Sequence, residues 1–267
     1  FLWRNTFLGA WMLAEDQIPL SVCGLSVSFD NEAILENLDL TLYPKEILGV
    51  IGPSGCGKSI LMRAILGLKE KTAGVIKILG EELKTTYDKD LAKRMGVLFQ
   101  QGALFSGLTA LENIQEPMRQ LPLLSARLKH ELARLKLDMV GLPYEAGDKY
   151  LSELSGGMVK RVALARAIAL DPAIVFLDEP TAGLDPISAR QFNELIVKLR
   201  HTIGLSVYLI THDVESLYAI CDRVAVLGNK RIKMQGTIEE LKKSEDPWVK
   251  DYFNSAAHQQ NSFAERG

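Results

Sequence analysis

The residues best suited to chemistry come first as one loop, Gly52-Pro53-Ser54-Gly55-Cys56-Gly57-Lys58-Ser59. A glycine, four residues and then Gly57-Lys58-Ser59 is the spacing of a backbone cradle for phosphate groups. The glycines adopt conformations that side chains forbid and let the main chain approach an anion. Successive N–H groups and the start of a helix then face the phosphates. Lys58 sets a point charge beside the β- and γ-phosphates, and the Ser59 hydroxyl is a ligand for Mg²⁺. A glycine-rich turn that fits by chance is the bland alternative. Against it stand the apolar strand Ile47–Ile51 before the loop and the helical spacing of Lys58 to Leu66 after it. Cys56 reads either as a redox-sensitive thiol or, more ordinarily, as a small residue at a variable position.

A second chemical group closes the apolar run Ile174-Val175-Phe176-Leu177, which ends in Asp178-Glu179. An acid at the end of a buried strand sits where ligands bind in open α/β sheets. Asp178 is suited to hold Mg²⁺ through water, and Glu179 to polarise an attacking water as general base. Alone this is weak, because every strand must end somewhere. Beside the phosphate loop it is strong. The string Leu154-Ser155-Gly156-Gly157-Met158 sets a hydroxyl and two glycines at the start of a helix, a second anion-binding N-terminus. Its plain alternative is a capping turn, since Ser155 is a good N-cap. Two such ends for one nucleotide make sense if two copies pair head to tail and complete each other's pocket.

These residues need a scaffold that brings distant strings to one edge. Strands are expected at Leu20–Phe29, Leu38–Leu42, Ile47–Ile51, Val75–Leu79, Met95–Leu98, Ile174–Leu177, Ser206–Ile210 and Val224–Leu227. Helical spacing marks Ala110–Arg119, Ser125–Leu137 and Gly156–Leu170, with breaks at Pro117, Pro122 and Pro143. A further helix follows Asp185 as N-cap and Pro186 at its first position. Continuous apolar runs suit parallel strands buried on both faces. The expectation is an α/β core interrupted by a helical insertion over about residues 101–170, within a domain over 18–244. Residues 1–17 form an N-terminal extension of no assigned role, and 245–267 a C-terminal tail. Just before that tail Thr237-Ile238-Glu239-Glu240 fits a capping box for a short helix, and within it Trp248, Tyr252 and Phe253 share helical spacing.

Composition narrows the class. A net charge of −2 over 267 residues gives no positive field to hold nucleic acid, so no nucleic-acid partner is expected. Three scattered cysteines, Cys23, Cys56 and Cys221, have neither metal-ligand spacing nor an even disulfide framework. The apolar stretch Phe1–Leu13 is interrupted by Arg4 and Asn5 and falls short of the ~20 residues that span a bilayer. Glu15-Asp16-Gln17 offers no signal-peptide cleavage site.

From Leu20 to about Leu241 the chain resembles the ATP-binding-cassette (ABC) superfamily. Gly52–Ser59 resembles Walker A, Val175–Glu179 Walker B and Leu154–Met158 the signature motif. The resemblance implies a P-loop NTPase fold of ABC type, a RecA-like mixed-sheet core with an inserted helical subdomain. It also implies ATP and Mg²⁺ as cofactors, and hydrolysis between the two halves of a homodimer. Phe29 then looks like the residue that stacks on adenine, and Gln100 like the Q-loop glutamine, a metal and coupling residue. Gly183-Leu184-Asp185 looks like the D-loop, and His212 like the switch histidine at the γ-phosphate. By themselves Phe29 and Gln100 read equally as a core aromatic and a surface amide, and a lone His212 reads more often as a structural histidine than as a phosphate sensor. Two positions depart from the family pattern. Ile60 replaces the usual Thr, losing one side-chain contact to the α-phosphate, and Met158 replaces the usual signature Gln. Neither touches Lys58, Ser59, Asp178 or Glu179.

A single cassette is similar to the energy subunits of transporters whose membrane parts are separate chains. The string Gln100-Gln101-Gly102-Ala103-Leu104-Phe105 and a signature ending in Met158 resemble the ATPases of Mla-type phospholipid and toluene-tolerance transporters. That subfamily implies an integral membrane permease, an MCE-domain ring and a STAS-domain subunit. It also implies a site on the cytoplasmic face of the bacterial inner membrane, with Gln101–Arg119 receiving the permease. Leu104, Phe105 and Leu108 are either the apolar floor of that contact or ordinary core. The alternatives are an amino-acid or drug transporter ATPase and a soluble ABC ATPase without a permease.

Overall fold

The computed structural model describes residues 18–30, 32–84, 88–100 and 102–254. The extension 1–17, the end of the tail and Gln101 lie outside the described residues. Strands β1 (Leu20–Phe29), β2 (Glu32–Leu42), β4 (Ala73–Ile78) and β5 (Glu81–Glu82) form an antiparallel sheet in the order β2-β1-β4-β5. A six-stranded sheet runs β10-β9-β3-β8-β7-β6, from β3 (Ile47–Ile51), β6 (Met95–Leu98), β7 (Ile174–Asp178), β8 (Ser206–Ile210), β9 (Arg223–Gly228) and β10 (Arg231–Gly236). Its inner strands are parallel, and only β10 is antiparallel. The mixed α/β architecture is the one expected.

The all-apolar strands behave as parallel strands covered on both faces should. Every residue of β3, β7 and β8 is buried. Their side chains alternate between two cores, Val175 and Leu177 to one side and Ile174 and Phe176 to the other. The second of these cores is closed by the antiparallel sheet and by helix α1 (Lys58–Ile65). After it come α2 (Lys89–Lys93), α3 (Ala110–Gln115), α4 (Ala126–Met139), α5 (Gly156–Ala167) and α6 (Pro186–Ile203). All but α2 of these pack on the first core. Helices α7 (Val214–Ile220), α8 (Ile238–Leu241) and α9 (residues 247–254) join Ile51, Val224 and Val226 in a third cluster.

Besides the short β5, α2 and α7, which no sequence pattern announces, three elements differ from expectation, each for a local reason. β2 starts at Glu32 rather than Leu38, because its half-exposed first residues pair with β1 up to Phe29. The helix expected over Ala110–Arg119 stops being α-helical at Gln115 and continues as a 3₁₀ turn, Glu116–Gln120. Pro117 lacks the N–H that an α-helix needs there. Edge strand β10 alternates exposed and half-buried residues, so it carries no apolar run to announce it.

Candidate functional site

The parallel register sets the geometry. Leu98 pairs with Leu177, Asp178 with Ile210, and Val50 with Ile210, so β6, β7, β8 and β3 all end along one edge. From that edge emerge Phe99-Gln100, Asp178-Glu179, Thr211-His212 and the phosphate loop. The structure therefore brings Gln100, Glu179, His212, Asp178 and the loop to a common line.

The loop is built for close approach. Gly52 has φ 156°, and a Cβ there would meet the Leu227 carbonyl oxygen at 2.2 Å. Gly57 caps α1 at φ 106°, in the left-handed region, with no side chain accepting from the helix. Every other described α-helix begins with an Asp, Ser or Thr whose oxygen takes up a first-turn N–H. Only α1 leaves its N-terminal donors to an outside acceptor, as a phosphate site requires. Lys58 Nζ donates to the carbonyls of Gly52 and Pro53, at 2.8 and 3.1 Å, which folds its charge back over the loop. Pro53, Ser54 and Gly55 are exposed along the rim. Cys56 is half-buried, and burial pushes its thiol up, the opposite of what a reactive cysteine needs. Ile60 packs on the core beneath the loop.

Beside the loop, the Ser59 hydroxyl is close enough to Asp178 to favour its ionised form. Burial raises the Asp178 carboxyl above its ordinary 3.8, and the Glu179 charge adds to this, against Arg63, Ser59 and Lys58. A hydroxyl and a carboxylate are hard oxygen donors of the kind Mg²⁺ prefers. Among the described residues no three His, Cys, Asp or Glu come together as a self-sufficient metal site. The hydroxyl and carboxylate fit a Mg²⁺ ion that takes its other ligands from water or from nucleotide phosphates.

Glu179 directly follows β7 in the left-handed region, φ 50°, a strained conformation for a residue with a Cβ. Its N–H is tied to the Ile210 carbonyl at 2.9 Å. The turn aims its carboxylate at His212, whose Nδ1 lies 2.8 Å from Glu179 Oε1. Glu179 is mostly buried, while His212 stands largely exposed. Tyr252 of α9 donates its hydroxyl to the His212 carbonyl at 3.2 Å.

Phe29 lies at the end of β1, 58% exposed, with Lys69 Nζ 4.9 Å from its ring centre. Ser155 caps α5 by accepting from the Met158 N–H at 3.3 Å, leaving its own hydroxyl proton free. A Cβ on Gly156 would meet nothing within 4 Å, and on Gly157 nothing nearer than Ser188 at 3.8 Å. Among the described residues no packing requires these glycines. Asp185 caps α6 through the N–H groups of Ile187 and Ser188. Phe105 is 48% exposed, whereas Leu104 and Leu108 are half-buried.

Two residues that motif reading passed over stand at the site. Lys160 Nζ donates to the Gln100 carbonyl at 2.8 Å, and Arg63 bears on Asp178. For Lys160 the only signal was its place on the helix that Ser155 opens.

The chain matches the ABC transporter family over residues 35–182. It is 37% identical over 236 residues to the intermembrane phospholipid transport system ATP-binding protein MlaF of Escherichia coli K12, which covers 87% of each chain. It is 39% identical over 210 residues to the methionine import ATP-binding protein MetN of Haemophilus influenzae, covering 78% of this chain and 60% of that one. Among solved structures it resembles the ATP-binding cassette MJ0796, a dimer in a post-hydrolysis state bound to ADP and Pi. The TM-score is 0.73 at 28% identity, over 82% of this chain and 98% of the other.

Proposed function

The chain belongs to the ABC transporter family and is an ATP-hydrolysing subunit of it, and from that premise we propose that it powers the movement of phospholipid or a related lipid between bacterial membranes through a separate permease. The observation that carries the ATPase half is the convergence of the phosphate loop, Ser59–Asp178, Glu179–His212 and Gln100 on one sheet edge. The lipid half is supported by the 100–105 string, by Met158, and by the even coverage of this chain and MlaF.

In this reading Phe29 stacks on adenine, and the N–H groups and side chains of Gly52 to Ile60 hold the phosphates. Ser59, Asp178 and Gln100 hold Mg²⁺, which when bound neutralises charge on the phosphate oxygens. Glu179, oriented by His212, accepts a proton from water as its oxygen attacks the γ-phosphorus. The bond to the β–γ bridging oxygen breaks, giving ADP and phosphate. Ser155, Gly156 and Gly157 meet the nucleotide of a second copy, which explains glycines that no contact among the described residues demands. The MJ0796 dimer supports that pairing.

Among the described residues no helix is long and apolar enough to cross a membrane. We place the chain peripherally, on the cytoplasmic face of the inner membrane, docked to its permease through the stretch Gln101–Arg119 of the helical segment. Phe105 offers exposed apolar surface there. STAS- and MCE-domain subunits complete the assembly. Purification of the tagged chain from detergent-solubilised membranes tests this. A multi-spanning permease that carries phospholipid is the expected outcome. Recovery of an amino-acid permease instead selects the MetN-like alternative, and recovery of no integral membrane protein removes the transporter reading.

A further inference from the structure

Helix α5 does two things at once. Its tip, Ser155-Gly156-Gly157, is open to the outside. Five positions on, Lys160 Nζ holds the Gln100 carbonyl at 2.8 Å. Further along the same helix Arg166 donates to the Ala103 carbonyl at 2.5 Å and lies over the Phe105 ring at 5.1 Å. Between those grips the backbone turns through the left-handed region at Gly102, φ 74°, and Ala103, φ 49°. One rigid helix thus fastens the segment around Gln100 at two main-chain oxygens. The Lys160 ammonium is also half-buried: burial works to lower it, and the carboxylates of Glu179 and Asp178 work to keep its charge. A merely solvated surface lysine would show neither.

We propose that Lys160 is a positioning residue that makes the two nucleotide sites of the dimer interdependent. It does so by joining Ser155, which serves the partner's nucleotide, to Gln100, which serves the chain's own. The proposal rests on the two-site reading above. Ser155 and Lys160 lie about 7.5 Å apart along a single helix, so they move together. A hydrogen bond weakens steeply with misalignment, so a shift of the tip toward a phosphate must drag the Gln100 peptide or break the bond. Dragging that peptide relocates the Gln100 amide at the Ser59–Asp178 edge. A charge-assisted bond of this kind is worth about tenfold in an equilibrium.

The test uses the intact ATPase–permease complex, with hydrolysis followed against ATP concentration. Wild type should show a Hill coefficient above one. Lys160→Met should bring it to one and lower kcat about tenfold, with melting temperature and ATP affinity of the isolated chain unchanged. Lys160→Arg, which keeps the charge and the reach, should restore cooperativity. Full cooperativity in Lys160→Met overturns the proposal. So does an equal loss in both variants accompanied by a lower melting temperature, which marks a packing role. The underlying reading is checked apart from this: Glu179→Gln should form an ATP-dependent dimer. If that variant stays monomeric with ATP, the two-site reading falls and the proposal with it.

Discussion

Asp178 stands near the Ser59 hydroxyl at the end of a strand buried on both faces, where a charge is costly to keep. Burial, then the Glu179 charge, raises its carboxyl above the ordinary 3.8, so the folded chain binds that proton more tightly than the unfolded chain does. The stabilisation from the proton is present below the unfolded value and lost as pH rises through the folded one. At neutral pH the ionised group is therefore a net cost to folding. Asp178→Asn should melt at a higher temperature than wild type at pH 7, measured by calorimetry without nucleotide. The same variant should lose about a hundredfold or more in kcat. In wild type, Mg²⁺-dependent ATP binding should fail on acidification at a higher pH than a solvated Asp would dictate, which a fluorescent-nucleotide titration reads. Where Lys58, Ser59, Asp178, Glu179 and His212 stand was legible in the sequence, since each is attached to a local string that ends a strand or opens a helix. Lys160 and Tyr252 were not, because their partners, Gln100 and the carbonyl of His212, are brought near only by packing.

The strands and helices were readable where burial is one-sided or complete, and obscure where it alternates weakly, as in β10. The contact between α5 and β6 shows a constraint that no periodicity announces. A Cβ on Gly96 would meet the Ala167 carbonyl oxygen at 2.2 Å and its carbon at 2.9 Å. Both are main-chain atoms, so neither can swing aside. Gly96→Ala should destabilise the fold by about 1–3 kcal/mol, seen as a lower urea midpoint at unchanged slope. Because β6 leads to Gln100 and α5 begins at Ser155, the variant should also lower kcat beyond what its lost stability explains. The helix α3 illustrates the reverse case. Thr109 and Glu112 form a capping box that starts it, and Pro117 just past its end prevents continuation.

For the molecule as a whole, three clusters share one sheet, and the third joins the nucleotide edge to the chain's last described helix. Val249 and Phe253 of α9 are buried against residues that include Ile51, which directly precedes the phosphate loop. Trp248 stacks on Tyr252 at 5.0 Å, and Tyr252 reaches the His212 carbonyl. Phe253→Ala should cost about 3–5 kcal/mol in a denaturation experiment, a core-like value for a residue near the end of the described chain. The consequence is practical. A fragment trimmed at Ser244 to obtain a minimal cassette would strip one wall from beneath the ATP loop and bare Ile51 and Val226 to water. Its poor solubility and weak nucleotide affinity would then be faults of the cut rather than properties of the enzyme, so expression tags and fusion joints belong beyond residue 254.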